Sequence, residues 1–549
     1  MFHSNPAHRT AWATGLAVAA LTALWAASSG QEPASGSDTT SKPLSLKEQK
    51  RKAQALRREQ EGPWKKWLTQ DVVYIITDEE KSVFKRLQTD EERQQFVEQF
   101  WLRHNPTPDD IENPFRDEHY RRIAYANYVY ASAIPGWKTD RGMIYITCGP
   151  PDETESHSLG ASSPSAIENG GVEPDTYPFE DWRYKNTKGD TVVEFIDTSM
   201  TGEYHLGMDP SKNPLLYVPG QSPSRMTASP CQSTFMDEFT RTSPASERLA
   251  TLASISQSSL QHAHWLKLKD LMAVADSTIR YDTLPMQVRA DYIKVTDATD
   301  LCNISVEVND SDLQFTTNRE GIAKATVNLY GRITSESRRA VAWFEDTVEV
   351  SVPAERMQAS RAPLRYIKSI PIPPGAYRLN VVAKDPVAGT LNNTERALEV
   401  PRYDEEQLGS SSVILADQFE RIPAKYISTS DFVIRSSKVR PRVSETFRRD
   451  EKMGVYAEFY NFGMGAKNPR KPDGTIEYEV VNNGSQQSVF TATEELGEVE
   501  NAAPSLVVAE KWLPLNQFEP GSYSIKMKVV DRQTKQTLTT PPAKFTVTL

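Results

Sequence analysis

A chain of 549 residues is longer than one hydrophobic core organises, so two to four domains are expected. A net charge of −10, with no domain standing out as basic, argues against a nucleic-acid partner, because phosphate binding is driven by clustered Lys and Arg. The three scattered cysteines, Cys148, Cys231 and Cys302, allow no disulfide framework and no Cys-x-x-Cys metal site. At most one bridge can form, and three ordinary thiols are expected.

The N-terminus has the layout of a secretory signal peptide. An uncharged apolar run from Ala11 to Ser28 follows Arg9, and Ala26, Ala27 and Ser28 supply a small-residue cleavage pattern. The alternative is an uncleaved N-terminal membrane anchor, since the run is almost long enough to span. Residues 30–43 are rich in Ser, Thr and Pro and are expected to be disordered. A basic helix then covers 47–58. Its charges read as a solvated face, with contact to an acidic membrane surface as the alternative.

"TDEEKSVFKRLQ" (77–88) and "TDEERQQFVEQF" (89–100) both open with Thr-Asp-Glu-Glu, a capping box announcing two consecutive helices. "DVVYIIT" (71–77) before them reads as a short buried strand. Asn113 followed by Pro114 caps a third helix, with Ile123, Ala124 and Tyr128 as its inner stripe.

That helix leads to "PGWKTDRGMIYITCGPPDE" (135–153). Pro135-Gly136 is a turn signal, and Gly142 suits positive φ after the Asp-Arg pair. "MIYITC" alternates as a strand covered on both faces. Asp140 is expected to accept backbone amides in the turn, Arg141 to pair with an acid or lie on a ring, and Trp137 to pack on the preceding helix. A catalytic reading needs a nucleophile and a base, and no His or Lys is placed to supply one.

"GWKTDRGMIYITCGPPDE" closely resembles the signature of the GWxTD domain, a module known chiefly from exported bacterial proteins, acidobacterial ones among them. "ERQQFVEQFWLRHNPTP", "NPFRDEHYRRIAYAN", "EDWRYKN" and "VVEFIDTSMTGEYHL" extend the resemblance over residues 64–207. Cys148 departs from it, standing where an aromatic is expected. The resemblance implies an α+β domain and export, and no mechanism. Its candidate binding motif is Trp137, Thr139, Asp140, Arg141, Gly142, Tyr145, Gly149, Pro150 and Asp152.

From Glu153 to Pro178 the chain reads as a polar loop containing His157, a solvent-facing residue by default. "FEDWRYKN", "DTVVEFIDT" and "GEYHLG" then read as three strands, with a hairpin turn at 186–189. A Pro/Ser/Thr-rich linker spans 208–245, followed by short helices in "PASERLATLASISQ" and "HAHWLKLKDLMAVA". His262 and His264 would face different sides of a helix and make a poor metal pair.

Beyond Asp291 the texture is that of alternating strands. "PGAYRLNVVAKD" (374–385) returns without a gap as "PGSYSIKMKVVD" (520–531), with Tyr377, Leu379 and Val381 matching Tyr523, Ile525 and Met527. Two β-sandwich domains follow, resembling immunoglobulin-like modules of bacterial surface proteins, with their aromatics in the core. The expected organisation is a signal peptide (1–28), a disordered segment with the basic helix (29–63), the α+β GWxTD domain (64–210), a linker with short helices (211–285) and two all-β sandwiches (286–402 and 403–549).

Two functions are weighed. The favoured one is a non-enzymatic extracytoplasmic binding or scaffold protein, periplasmic or secreted, whose partner is another envelope protein or surface component. The rival is an exported hydrolase using Asp140, Asp152 and Glu153, joined by Asp181. No cofactor, metal ligand set or catalytic constellation is indicated by the sequence.

Overall fold

The computed structural model describes residues 62–105, 112–157, 177–185, 191–207, 267–277, 279–356, 363–423, 426–427, 433–466 and 468–549. The expected signal peptide, the basic helix, the hairpin turn at 186–189, the linker, the first short helix after it, and Cys231, His262 and His264 lie outside these residues. Among the described residues no helix is long and apolar enough to cross a membrane.

Both capping boxes form. The Thr77 hydroxyl accepts the Glu80 amide at 3.2 Å, and the Glu80 carboxylate accepts the Thr77 amide at 3.1 Å, opening α1 (Asp78–Arg86). Thr89 and Glu92 repeat the device for α2 (Asp90–Arg103). Asn113 caps α3 (Pro114–Val129) through the Arg116 amide, and Ile123, Ala124 and Tyr128 are buried as the spacing predicts. Trp67 gathers these helices, with the rings of Phe84 and Phe100 at 5.1 and 5.5 Å.

Two expected strands are not strands. Asp71 ends a π-helical stretch, Trp67–Asp71, and the amides of Ile75 and Ile76 both turn back to the Val72 carbonyl. The apolar run is there to be buried, as Val72 is, and burial alone does not distinguish strand from turn. "MIYITC" belongs to a helix, α4 (Asp140–Cys148). In the opposite direction, Glu153–His157, read as loop, is strand β1. It pairs antiparallel with β2 (Phe179–Tyr184), followed in the sheet by β3 (Thr191–Ile196) and β4 (His205–Leu206). His157 stacks on Phe179 at 4.2 Å.

The C-terminal region is all-β. In the first sandwich, a sheet of β5 (Gln287–Lys294), β6 (Asp300–Val308) and β10 (Leu364–Ile372) faces a five-stranded sheet. The latter holds β7 (Thr316–Thr317), β8 (Ile322–Ser335), β9 (Ala340–Pro353), β11 (Gly375–Lys384) and β12 (Leu391–Val400). Helix α5 (Lys269–Asp276) lays Leu271 on Tyr330 and Val382 outside that core, beginning later than "HAHWLKLKDLMAVA" suggested.

The second sandwich has two six-stranded sheets. One contains β13 (Gly409–Ser410), β14 (Ile414–Arg421), β15 (Val433–Ile434), β16 (Ser437–Pro441), β18 (Lys452–Tyr460) and β21 (Leu506–Pro514). The other contains β17 (Thr446–Arg448), β19 (Gly474–Asn482), β20 (Ser488–Glu495), β22 (Gly521–Asp531), β23 (Thr537–Thr539) and β24 (Ala543–Thr548).

The repeated Pro-Gly-x-Tyr explains itself in both sandwiches. The Tyr377 hydroxyl donates to the Pro373 carbonyl at 3.0 Å, and the Tyr523 hydroxyl to the Glu519 carbonyl at 2.6 Å. Each phenol thus closes the corner it follows while its ring enters or borders the core. The Asp ending each repeat is wholly buried. Asp385 accepts the amides of Gln314, Val387 and Ala388, and Asp531 accepts those of Gly463 and Gln533. One carboxylate per sandwich ties a hairpin turn to a distant loop.

Residues 59–549 form one compact unit. Asp71 is a principal contact between its parts. Buried beneath α3, it accepts hydroxyl bonds from Tyr120 (2.9 Å) and from Thr296 and Thr299 (2.6 Å each) in the turn joining β5 to β6. Burial pushes its carboxyl up to about 6 against the lowering effect of those hydroxyls. Because the folded state holds this proton more tightly, the group's contribution is full below the unfolded pKa and is lost as pH rises towards 6. Relative to Asp71→Asn, wild-type stability should therefore fall by about 3 kcal/mol between about pH 3 and about pH 7. Urea unfolding of both proteins across that range checks this, and a difference that does not vary with pH would contradict it.

Candidate functional site

The signature segment begins with a 3₁₀ turn, Gly136–Lys138, and Thr139 converts it into α4. The Thr139 hydroxyl accepts the Gly142 amide at 3.1 Å and donates to the Gly136 carbonyl at 2.8 Å. A Cβ on Gly136 would lie 1.8 Å from the Ala126 carbonyl oxygen of α3, and one on Gly142 would lie 1.8 Å from the Gly136 carbonyl oxygen. Gly142 is therefore needed for close backbone approach within a helix, not for the positive φ expected of it. The cap and this stacking of backbone on backbone override the β-branched, alternating look of "MIYITC".

The remaining motif residues serve this junction or tie it to the small sheet beside it. Trp137 is 8% exposed. Its amide donates to Asn127 Oδ1 of α3 at 2.9 Å, its carbonyl accepts the Tyr74 hydroxyl at 2.8 Å, and the Lys138 ammonium lies 5.1 Å from its ring centre. Trp137 thus packs on the preceding helix as predicted. Asp140 does not shape the turn, which is the work of Thr139. Its Oδ2 accepts the Leu206 amide at 2.8 Å and so pins β4 beside the start of α4. Arg141 does both things foreseen for it: it donates to Glu180 at 3.2 Å and to the Gly202 carbonyl at 3.3 Å, and it lies over the rings of Tyr204 (4.3 Å) and Tyr130 (5.3 Å).

Tyr145 is buried and stacks on Tyr125 at 4.5 Å, and burial holds its hydroxyl far above the ordinary phenol range. Gly149, at φ 81°, ends α4, and its carbonyl accepts the Tyr184 hydroxyl at 3.1 Å. Pro150 follows it, half-buried. Asp152 accepts the Lys185 amide at 2.7 Å. Cys148 is disulfide-bonded, which corrects the expectation of three thiols, whereas Cys302 is a buried free thiol.

Asp140 opens α4, with His205 Nδ1 3.6 Å from its Oδ2, whereas Asp152 lies four residues beyond the helix and holds the Lys185 amide. Glu153 is engaged by Lys185. Asp181 sits on β2 opposite Glu155 of β1. The structure brings Thr139, Gly142, Gly136 and Trp137 together around α3, and it sends Asp140, Arg141 and Asp152 to three separate partners.

Among the described residues no group of three His, Cys, Asp or Glu side chains is placed to hold a metal ion. Two concavities stand out, and neither is lined by a residue of the signature motif. One lies where Arg121 and Ala124 of α3 meet Asn303, Ser369 and Arg435. The other lies between Tyr128 and Arg470.

Residues 58–161 match the family model of the GWxTD domain, and the chain carries that domain at its N-terminal side. No curated protein matches the chain.

Sequence reasoning missed the polar residues that join the parts. Arg435 and Glu458 form a buried ion pair at 2.8 Å, and Arg435 also donates to the Ala124 and Lys294 carbonyls at 2.6 Å each. A lone Arg in a turn gives no local sign of that role. The one available cue was Glu458 standing among apolar residues in "GVYAEFYNF".

If the two glycines are required for backbone contact, Gly136→Ala and Gly142→Ala should each destabilise the protein by about 3 kcal/mol or more, as overpacking against backbone does. Gly497→Ala, with nothing within 4 Å of the new Cβ, should be close to neutral. Urea midpoints measure all three. Wild-type stability in Gly142→Ala would contradict the packing account.

Proposed function

We propose that this chain works outside the cytoplasm as a non-enzymatic binding or scaffold protein, presenting a fixed surface to another envelope protein or surface component. One observation carries the reading. The signature residues are engaged inside the fold, where they seat α4 on α3, and α3 is in turn fastened to both sandwiches through Arg435. Such an arrangement suits holding a geometry better than opening to a substrate. The Cys148 disulfide supports an oxidising compartment, periplasmic or secreted, in keeping with the export signal read at residues 1–28.

In the native organism the protein should be recovered with an N-terminus near Ser29. A photoreactive amino acid replacing Trp512, which is 43% exposed, should give a discrete crosslinked species with one envelope component. An intact Met1 in the membrane fraction would replace the exported form with an anchored one. An envelope-directed hydrolytic activity abolished by Asp140→Asn at unchanged stability would overturn the non-enzymatic reading.

A further inference from the structure

A cleft runs between the GWxTD domain and the second sandwich. Tyr128 and Ser132, at and beyond the end of α3, form one wall, Gly202 forms the rim, and Asn468, Arg470 and Asn501 form the opposite wall. Its cavity volume is about 160 Å³, and it is open to solvent. Lys471 joins Arg470 in its lining, and no carboxylate does so among the described residues. The cleft is a polar pocket with an excess of positive charge on a chain of net charge −10.

The cations are held in place by main-chain geometry. The Asn468 side chain accepts the Arg470 amide at 3.1 Å, and the Lys471 ammonium donates to the Gly497 carbonyl at 2.7 Å. Among the described residues the Arg470 guanidinium has no hydrogen-bond or ion-pair partner. The acids nearby are already engaged. Asp197, which feels the charge of Arg470, accepts the Thr201 and Gly202 amides and the Ser199 hydroxyl, and Glu500 pairs with Arg421 at 3.0 Å.

Gly202 makes room for the guanidinium. At φ +78° it lies so close that a Cβ would sit 2.6 Å from Arg470 Nη1. Its carbonyl accepts the bond from Arg141, so the signature arginine acts as a positioning residue for the cleft's rim.

We propose that this cleft binds a small organic oxyanion, a carboxylate or phosphate group gripped by the Arg470 fork, with the amides of Asn468 and Asn501 and the Ser132 hydroxyl taking its neighbouring polar groups. A planar guanidinium matches such an anion through two parallel hydrogen bonds, which a lone ammonium does not. The proposal goes beyond the scaffold reading and does not rest on it.

Calorimetric titration of the exported full chain with succinate and, separately, with inorganic phosphate at low salt tests it. Saturable binding of at least one probe is expected, weakened about tenfold or more by Arg470→Gln. Gly202→Ala should weaken the same probe by displacing the guanidinium. Arg319→Gln, which removes the same charge from an exposed turn of the first sandwich, should leave binding unchanged. Saturation by succinate alone identifies a carboxylate ligand, and by phosphate alone a phosphate ligand. Failure of both to saturate, or equal loss in Arg470→Gln and Arg319→Gln, overturns the proposal and leaves the scaffold reading untouched.

Discussion

The ion pair between Arg435 and Glu458 is the constraint on which the arrangement of the compact unit, residues 59–549, depends. Both side chains are removed from water, which costs several kcal/mol per ion and is offset as the remaining donors and acceptors are filled. Here four of the five N–H donors of Arg435 and both carboxylate oxygens of Glu458 are engaged. Glu458 also accepts the hydroxyls of Tyr456 and Tyr460, and Arg435 reaches the carbonyls of Ala124 in α3 and Lys294 in β5. Arg435 itself adopts φ 58°, a conformation that costs a branched or long side chain about 1 kcal/mol or more. A single guanidinium thus fixes the register of three parts of the fold, a role of specificity more than of net stability.

The GWxTD signature follows from the same need. Helix α3 can serve as the common support only if its far side is also firmly packed. Gly136, Thr139 and Gly142 let the next segment lie directly on its backbone, while Trp137 and Tyr145 bury large rings beside it. Asp140 and Arg141 carry the effect outward to the small sheet, through the Leu206 amide and the Gly202 carbonyl. The signature thus combines one helix–helix junction, made by Gly136, Trp137, Thr139 and Gly142, with ties from Asp140 and Arg141 to the small sheet and its loops.

What could be read from the sequence was what is chemically local. Thr-x-x-Glu announces a helix because both halves of its bond lie within one turn, and Pro-Gly-x-Tyr twice announced a strand whose phenol closes its own corner. Period-two burial gave both sandwiches. Where local signals compete with packing, reading fails. The β-branched run of α4 looks like a strand until Thr139 and two glycines impose a helix, and Glu153–His157 looks like a loop because a sheet edge tolerates polar side chains on both faces. The junction was illegible for a different reason, since Arg435 and the Ala124 carbonyl are 311 residues apart in sequence.

The most direct test of the account is the cooperativity of unfolding. Trp67, Trp101, Trp137 and Trp182 all lie in the N-terminal core, so tryptophan fluorescence reports chiefly on that part, while far-ultraviolet circular dichroism is dominated by the sandwiches. In the wild type the two signals should change together across a urea titration. In Arg435→Met, which leaves Glu458 buried without its partner, the fluorescence transition should move to lower urea by the equivalent of about 3–5 kcal/mol and separate from the dichroism transition. Coincident transitions at the wild-type midpoint in Arg435→Met would contradict the claim that this pair holds the three parts together.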